Sequence, residues 1–315
     1  MRVAFLDDIH DAYEQTDGVR RLRERADVKI FKQAVDGPES LRGFDALVAT
    51  RERTKFTAEL FEELPDVRII AQTGNHAYHI DLEAAERHKI IIGKATGGFC
   101  TAAGELAFGL MMAVMRQIPS VDHAVKNGGW PTPMTRVLRG KTLGVVGLGN
   151  IGRYVTRIAN AFDMKVLAWG PRLTPEVAMA AGAQFQDLDA LLSQSDIISI
   201  HATLSPETRG LIDRRRIALL KPTAYLVNTA RGPIVDEAAL IEALRGVRIA
   251  GAALDVFDNE PLPAGHPLTA LENVVLTSHL GWPTDEMYEK FSEAAADILL
   301  AYREGQEVPQ FRSKH

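Results

Sequence analysis

An α/β fold of two doubly wound parallel-sheet domains is what the sequence predicts, and three observations carry that expectation. Short apolar runs alternate with helix-period segments along nearly the whole chain. The alternation restarts after an apolar helix and a Gly/Pro-rich loop at 101–133. A strand running into a glycine turn and then a helix opens the second series. Such alternation is the mark of parallel sheets, because each parallel crossover needs a connection long enough to hold a helix. At 315 residues the chain has material for two cores.

In the first series Val3–Leu6, Val28–Phe31, Ala46–Ala49, Val67–Ile70 and Ile90–Ile92 read as strands. Helical patterns such as Ala58–Leu64 and Asp81–His88 lie between them. Polar turns follow several strands: Asp7-Asp8, Thr50-Arg51 and Thr73-Gly74-Asn75-His76. Ligands of open α/β sheets bind at that carboxyl edge, which makes Arg51, Gly74, Asn75 and His76 candidates for substrate binding. The helix Thr101–Met115 carries Leu106, Phe108, Leu110, Met111 and Met112, and Pro119 ends its pattern. So apolar a helix is expected to pack between domains or subunits. Asn127–Pro133 reads as loop.

Leu143–Val146 is a fully apolar run, as a strand buried on both faces should be. It enters Gly147-Leu148-Gly149-Asn150-Ile151-Gly152, and a helical face of Ile151, Val155, Ile158, Ala159 and Phe162 follows, then a strand Lys165–Trp169. In this G-x-G-x-x-G, Gly147 makes the tight turn, Gly149 admits a pyrophosphate to the backbone, and Gly152 lets helix and strand pack closely. The N–H groups at the helix start would hold the anion. The second domain is thus predicted to be a Rossmann domain for NAD(P)(H). An acid expected about 20 residues on, to bind the ribose 2′-OH, is missing. Trp169-Gly170-Pro171-Arg172 stands there, with a cation in place of a carboxylate, and this favours NADP over NAD.

The second series continues with strands Ile197–Ile200, Ala224–Val227, Ala250–Ala253 and Val274–Leu276. Helices fall near Leu188–Gln194, Arg214–Leu219 and Glu237–Leu244. Thr284 caps a last helix, Asp285–Tyr302, and the polar tail from Glu304 is expected to be loose. If that helix returns to the first sheet, residues 1–99 with 284–315 form a discontinuous outer, substrate domain and residues 100–283 the dinucleotide-binding domain, with a cleft between two sheets.

Composition narrows the function classes. The chain is 46% apolar and 24% charged, ordinary for a globular protein. A net charge of −5 without a basic run argues against nucleic acid as partner. The apolar core of MRVAFLDD is too short for a signal peptide, and no apolar run approaches a membrane span. One cysteine, Cys100, excludes an internal disulfide and a cysteine metal cluster, and reads as a small buried filler. A cytoplasmic enzyme is expected.

Three polar segments follow successive strands of the second series: Asn228-Thr229-Ala230-Arg231-Gly232, Leu254–Pro261 with Asp255 and Glu260, and Thr277-Ser278-His279-Leu280-Gly281-Trp282. All three belong to the edge where the pyrophosphate would bind. An arginine, a carboxylate and a histidine there suit hydride transfer to a 2-oxo acid. Arginine holds a carboxylate bidentately and polarises a carbonyl. Histidine moves the hydroxyl proton near neutral pH, and glutamate beside it favours and orients the imidazolium. His76 and His79 have metal-like spacing but no accompanying cluster, so no metal is assigned. His10, His88, His123, His266 and His315 read as exposed or capping residues.

The order GLGNIG, NTARGPIVDEAAL, AGAALDVFDNEP and HLGW resembles the D-isomer-specific 2-hydroxyacid dehydrogenases, and DLEAAERHKI and the His201–Asp213 segment fit as well. The resemblance implies an NAD(P)-dependent enzyme interconverting a small 2-hydroxy acid and its 2-oxo acid. It implies Arg231 as substrate-binding catalytic arginine, Glu260 as the acid paired to the histidine, and His279 as proton donor and acceptor. It also implies that backbone at Asn75-His76 binds the substrate carboxylate and Asp255 the nicotinamide carboxamide. The cofactor set that follows adds Asn150, Ile151, His201, Ala202, Thr203, Thr208, Thr229, Ala230 and Gly281. A homodimer joined through the nucleotide domains is implied too. Two departures stand out: Thr203 occupies a position where the family often has proline, and the 74–79 loop departs from the common G-x-G-x-D-x-I-D wording, although Ile80-Asp81 after it is retained. Oxidation of a formate- or phosphite-like anion and cofactor-sensing regulation are the rival readings.

Overall fold

The computed structural model describes residues 1–35, 37–97 and 101–313. The expectations for Cys100 and His315 lie outside the described residues. The chain divides into two compact units, 1–100 with 283–315, and 101–282.

The first unit runs β1 (Arg2–Phe5), α1 (Asp17–Arg23), β2 (Asp27–Ile30), β3 (Ala46–Ala49), α2 (Ala58–Glu62), β4 (Ile69–Thr73), α3 (Leu82–Arg87) and β5 (Ile91–Ala95). The second begins with α4 (Ala102–Met115) and α5 (Ile118–Lys126), then β6 (Thr142–Val146), α6 (Asn150–Ala161), β7 (Lys165–Trp169), α7 (Pro175–Ala180) and β8 (Gln184–Phe185). It continues with α8 (Leu188–Gln194), β9 (Ile197–Ile200), α9 (Arg214–Ile217), β10 (Tyr225–Asn228), α10 (Glu237–Arg245), β11 (Gly251–Leu254) and β12 (Val274–Leu276). The chain then returns to the first unit with α11 (Asp285–Arg303) and β13 (Gln310–Phe311).

The first unit's sheet has the order β13-β5-β4-β3-β1-β2, parallel throughout except for β13. The second unit's sheet, β12-β11-β10-β9-β6-β7-β8, is parallel throughout. The strand order reverses between β6 and β9, a topological switch point whose carboxyl ends form a crevice. The central strands β9 and β10 are buried at every residue, because helices cover both faces; hence their continuous apolar runs.

Four expectations are corrected. The helix α4 does not need a subunit boundary to bury its apolar surface. Its Ala107, Phe108, Leu110, Met111, Val114 and Met115 share one core with Leu143, Val145, Val155, Tyr225 and Val227 of the same unit. Gly104 permits this, since a Cβ there would come within 2.7 Å of the Tyr154 ring on α6. Pro119, read as a terminator, instead lies in the first turn of α5, where its missing N–H costs nothing. The strand β4 extends beyond Ile70 through Gln72 to Thr73, which was expected to open the turn; both are fully buried but satisfied, Thr73 Oγ1 donating to Ala49 O at 2.9 Å and Gln72 Nε2 to Arg51 O at 3.0 Å. The tail is not loose: Gln310 and Phe311 pair antiparallel with Gly93 and Ile92, and Val308 is buried.

Candidate active site

The glycine turn occupies the switch point. Gly147 has φ +102°, and a Cβ on it would stand 2.5 Å from the Ala202 nitrogen. Only glycine permits that backbone with β9's exit so close. Gly152 packs its α-carbon over the turn itself, where a Cβ would be 2.2 Å from Gly147 O and 3.2 Å from Val145 Cγ1. Around Gly149 the space is open, with no atom within 4 Å of a Cβ position. Gly149 is the N-cap of α6 and no side chain caps that helix, so Asn150, Ile151 and Gly152 begin it with amides available to an anion.

These residues fit a bound dinucleotide. The open space at Gly149 leaves room for a pyrophosphate, and Thr229 Oγ1, at the end of β10, is buried without a hydrogen-bond partner among the described residues. An orphaned buried hydroxyl is costly unless a ligand satisfies it. His201 follows β9; its Nε2 lies 2.8 Å from Ser199 Oγ, and burial pushes its pKa down to about 4, so its ring is neutral at neutral pH. Thr208 is not aimed outward: its hydroxyl donates to Thr203 O at 2.6 Å and accepts from Ser205 N at 2.8 Å, closing the 203–208 turn. Trp169 and Gly170 are half-buried at the end of β7, and Pro171 and Arg172 are exposed. Arg172 forms no ion pair among the described residues. Its expected alternative partner, Glu176, turns to Thr174 and its own backbone at the start of α7, which lower its pKa.

The three segments beyond β10, β11 and β12 do converge. His279 Nδ1 lies 2.7 Å from Glu260 Oε2, while Glu260 Oε1 accepts from Phe257 N at 2.9 Å. Burial raises the Glu260 carboxyl, but the hydrogen bonds from His279 and Phe257 and the charges of His279 and Arg231 outweigh it, leaving the pKa lowered. An ionised Glu260 makes Nδ1 the protonated nitrogen of His279 and leaves Nε2 outside that pairing. His279 sits at φ +59°, an uncommon conformation for a non-glycine residue.

Asp255 maintains that conformation. It is fully buried; Oδ1 accepts from Thr277 Oγ1 at 2.6 Å and Leu280 N at 2.7 Å, and Oδ2 from Gly281 N at 3.0 Å. Its carbonyl accepts from His279 N at 3.0 Å. One carboxylate thus clamps the whole 277–281 turn. Asn228 does the same for Arg231: its Nδ2 donates to Arg231 O and its Oδ1 accepts from Ala230 N, both at 3.0 Å. Neither holding role was assigned from sequence, where Asn228 was only the first residue of a segment. An Asn or Asp ending an apolar strand immediately before a polar loop was the signal that could have found both.

In the first unit, Arg51, Gly74 and His76 come together beyond β3 and β4. Arg51 has φ +58°, its N–H donates to Thr73 Oγ1 at 2.8 Å, and its Nη1 lies 2.7 Å from a Cβ position on Gly74. Asn75 is exposed. His79 Nε2 lies 3.2 Å from Gln72 Oε1, and burial lowers its pKa. Among the other histidines, His88 is the C-cap residue of α3 and His266 caps a 3₁₀ turn. His266 is not exposed: its Nε2 lies 3.2 Å from Glu237 with 17% side-chain exposure.

A doubly wound domain with a glycine turn at its switch point and a His–Glu pair at the same sheet edge defines a dinucleotide-dependent oxidoreductase class. The family model for the NAD-binding domain of D-isomer specific 2-hydroxyacid dehydrogenases matches residues 108–281, and the chain belongs to that family. It is 38% identical over 311 residues to a glyoxylate reductase of Thermofilum pendens, covering 94% of this chain and 91% of that one. It is 36% identical over 306 residues to a D-3-phosphoglycerate dehydrogenase of Methanocaldococcus jannaschii, covering 96% of this chain but 56% of that longer one. The D-lactate dehydrogenase of Escherichia coli superposes with a TM-score of 0.87, at 26% identity, over 98% of this chain and 99% of that one. The chain is therefore an NAD-binding oxidoreductase of the 2-hydroxyacid dehydrogenase type.

Proposed function

We propose that the chain reduces a small 2-oxo acid to its D-2-hydroxy acid and runs the reverse oxidation, with His279 as proton donor and acceptor. The observation that carries this reading is the 2.7 Å His279–Glu260 pair on strand ends beside the Arg231 loop. A bound nicotinamide supplies or accepts the hydride at the substrate C2. Arg231 grips the carboxylate and carbonyl and stabilises charge developing on the carbonyl oxygen. His279 Nε2 gives that oxygen its proton, and Glu260, bonded to Nδ1, orients the ring throughout. Backbone at Gly74, Asn75 and His76 holds the substrate carboxylate, and Arg51 faces the remainder of the substrate. Gly147–Gly152, Trp169–Arg172, His201–Thr203 and Thr229–Ala230 hold the dinucleotide, and Asp255 and Gly281 its carboxamide end. Glyoxylate, named in relatives matched over nearly their whole length, heads the test panel with hydroxypyruvate and pyruvate. Oxidation of NADH or NADPH by at least one of them supports the reading, and none with any of the three rules it out.

NADPH is the cofactor this reading prefers. No carboxylate stands at Gly170 to repel a 2′-phosphate, and exposed Arg172 can meet one. A charge-assisted contact of roughly 1.5–3 kcal/mol corresponds to about tenfold to a hundredfold in affinity. Arg172→Ala is expected to weaken NADPH selectively, and Gly170→Asp to favour NADH, the new Cβ meeting only Leu173 Cβ at 3.4 Å. Fluorescence titration checks this; tenfold tighter NADH binding in wild type, unchanged by Arg172→Ala, would count against it.

We place the homodimer contact on the second unit at 118–137, since α4 is spent on its own core. Trp130 is 84% and Met134 95% exposed, with Ile118, Val125 and Val137 exposed nearby, which is much apolar surface for water to cover. The double variant Trp130→Asp, Met134→Asp should sediment as a monomer where wild type sediments as a dimer. A variant that remained dimeric would move the interface elsewhere.

A further inference from the structure

Beyond β3 and β4 of the first unit one carboxylate lies between two groups suited to anions. Arg51 is fixed on both sides of its backbone, through Thr73 Oγ1 on its N–H and Gln72 Nε2 on its carbonyl. Its guanidinium lies along the Gly74 turn with only 13% of the side chain exposed. Glu52 Oε2 is 3.4 Å from Arg51 Nε and also 3.4 Å from His76 Nε2. His76 is itself 19% exposed and stacks on Tyr78 with ring centroids 4.6 Å apart. Arg51 and Glu52 together sum to no net charge. The cation that a second anionic group on a substrate would seek is already paired, and the carboxylate that pairs it would repel that group.

We infer that Glu52 is a specificity-determining residue that sets this end of the substrate site for 2-oxo acids whose only anionic group is the C1 carboxylate. This inference rests on the function proposed above. The C1 carboxylate itself is served by backbone N–H groups of the 74–76 loop and by Arg231, so it does not require Arg51 unpaired. A phosphoryl or second carboxylate on C3 does. Like charges held a few ångströms apart in a partly dehydrated site cost enough to change relative rates by about tenfold to a hundredfold. Removing the charge of Glu52 while keeping its shape should therefore favour the doubly anionic acid.

The test measures kcat/KM of the purified full chain for matched pairs, hydroxypyruvate against its 3-phosphate and pyruvate against oxaloacetate, in wild type, Glu52→Gln and Glu52→Asp. Wild type is expected to prefer the singly anionic member of each pair. Glu52→Gln should shift both ratios toward the doubly anionic member by about tenfold or more, and Glu52→Asp should retain the wild-type order. Ratios in a folded Glu52→Gln that stay within about twofold of wild type overturn the inference. So does a wild type that prefers the phosphorylated acid, even where the variant does not fold. Absence of turnover with every acid removes the proposed function and this inference with it, whereas turnover with unshifted ratios removes the inference alone.

Discussion

His279→Ala is expected to lower kcat for 2-oxo acid reduction by about 10²–10⁴-fold while leaving dinucleotide affinity nearly intact, because the loss is that of general acid catalysis. His279 is fixed at three points: its backbone N–H on Asp255 O, its ring Nδ1 on Glu260, and the turn beneath it clamped by the Asp255 carboxylate. Alanine can keep the turn but cannot move the proton. The pH dependence follows from Glu260. Its folded pKa is lowered, so the stability it lends is present above the ordinary carboxylate range and is lost as pH falls through its own lowered value. Acid should accordingly loosen the His279 pairing before it affects the glycine turn. Steady-state kinetics and a dinucleotide titration decide the matter. A variant that kept more than about a tenth of wild-type kcat would remove His279 from proton transfer.

Arg231→Lys is expected to lose about 10²–10³-fold in kcat/KM, with kcat falling and KM rising together. The substitution keeps the charge but not the planar fork that meets a carboxylate and a carbonyl at once. The position is prepared for that fork. Asn228 ties the backbone on both sides of the loop, and Gly232 lies so close to the Phe257–Asp258 peptide that a Cβ would be 2.1 Å from Phe257 C. The guanidinium Nη1 donates to Ala230 O at 2.6 Å. A contact that strengthens as the carbonyl oxygen gains charge affects kcat as well as binding. Kinetics indistinguishable from wild type would place the substrate away from Arg231.

Much of this was legible in the residues. Strands buried on both faces must be apolar throughout, so Ile197–Ile200 and Val227 with its neighbours announced themselves as continuous runs. Gly147 and Gly152 were readable because their task is steric and local, and the backbone contacts they permit are between residues close in sequence or at the end of the next strand. The order of Arg231, Glu260 and His279 was readable because each follows a strand end, and parallel strands deliver those ends to one edge.

What the sequence by itself determined, then, is the alternation of elements, the glycine turn and the chemical types at the sheet edge, since period and steric need are written into neighbouring residues. Tertiary structure alone decided where polar groups find partners far along the chain. It buried Gln72 and Thr73 inside β4, turned α4 onto its own sheet, and drew Gln310 and Phe311 back beside β5. It set Asp255 under the His279 turn and Glu52 between Arg51 and His76. The physical reason is the same in each case. A buried hydrogen-bonding group must be satisfied, but its partner is chosen by how strands and loops pack in space, and no local pattern names it.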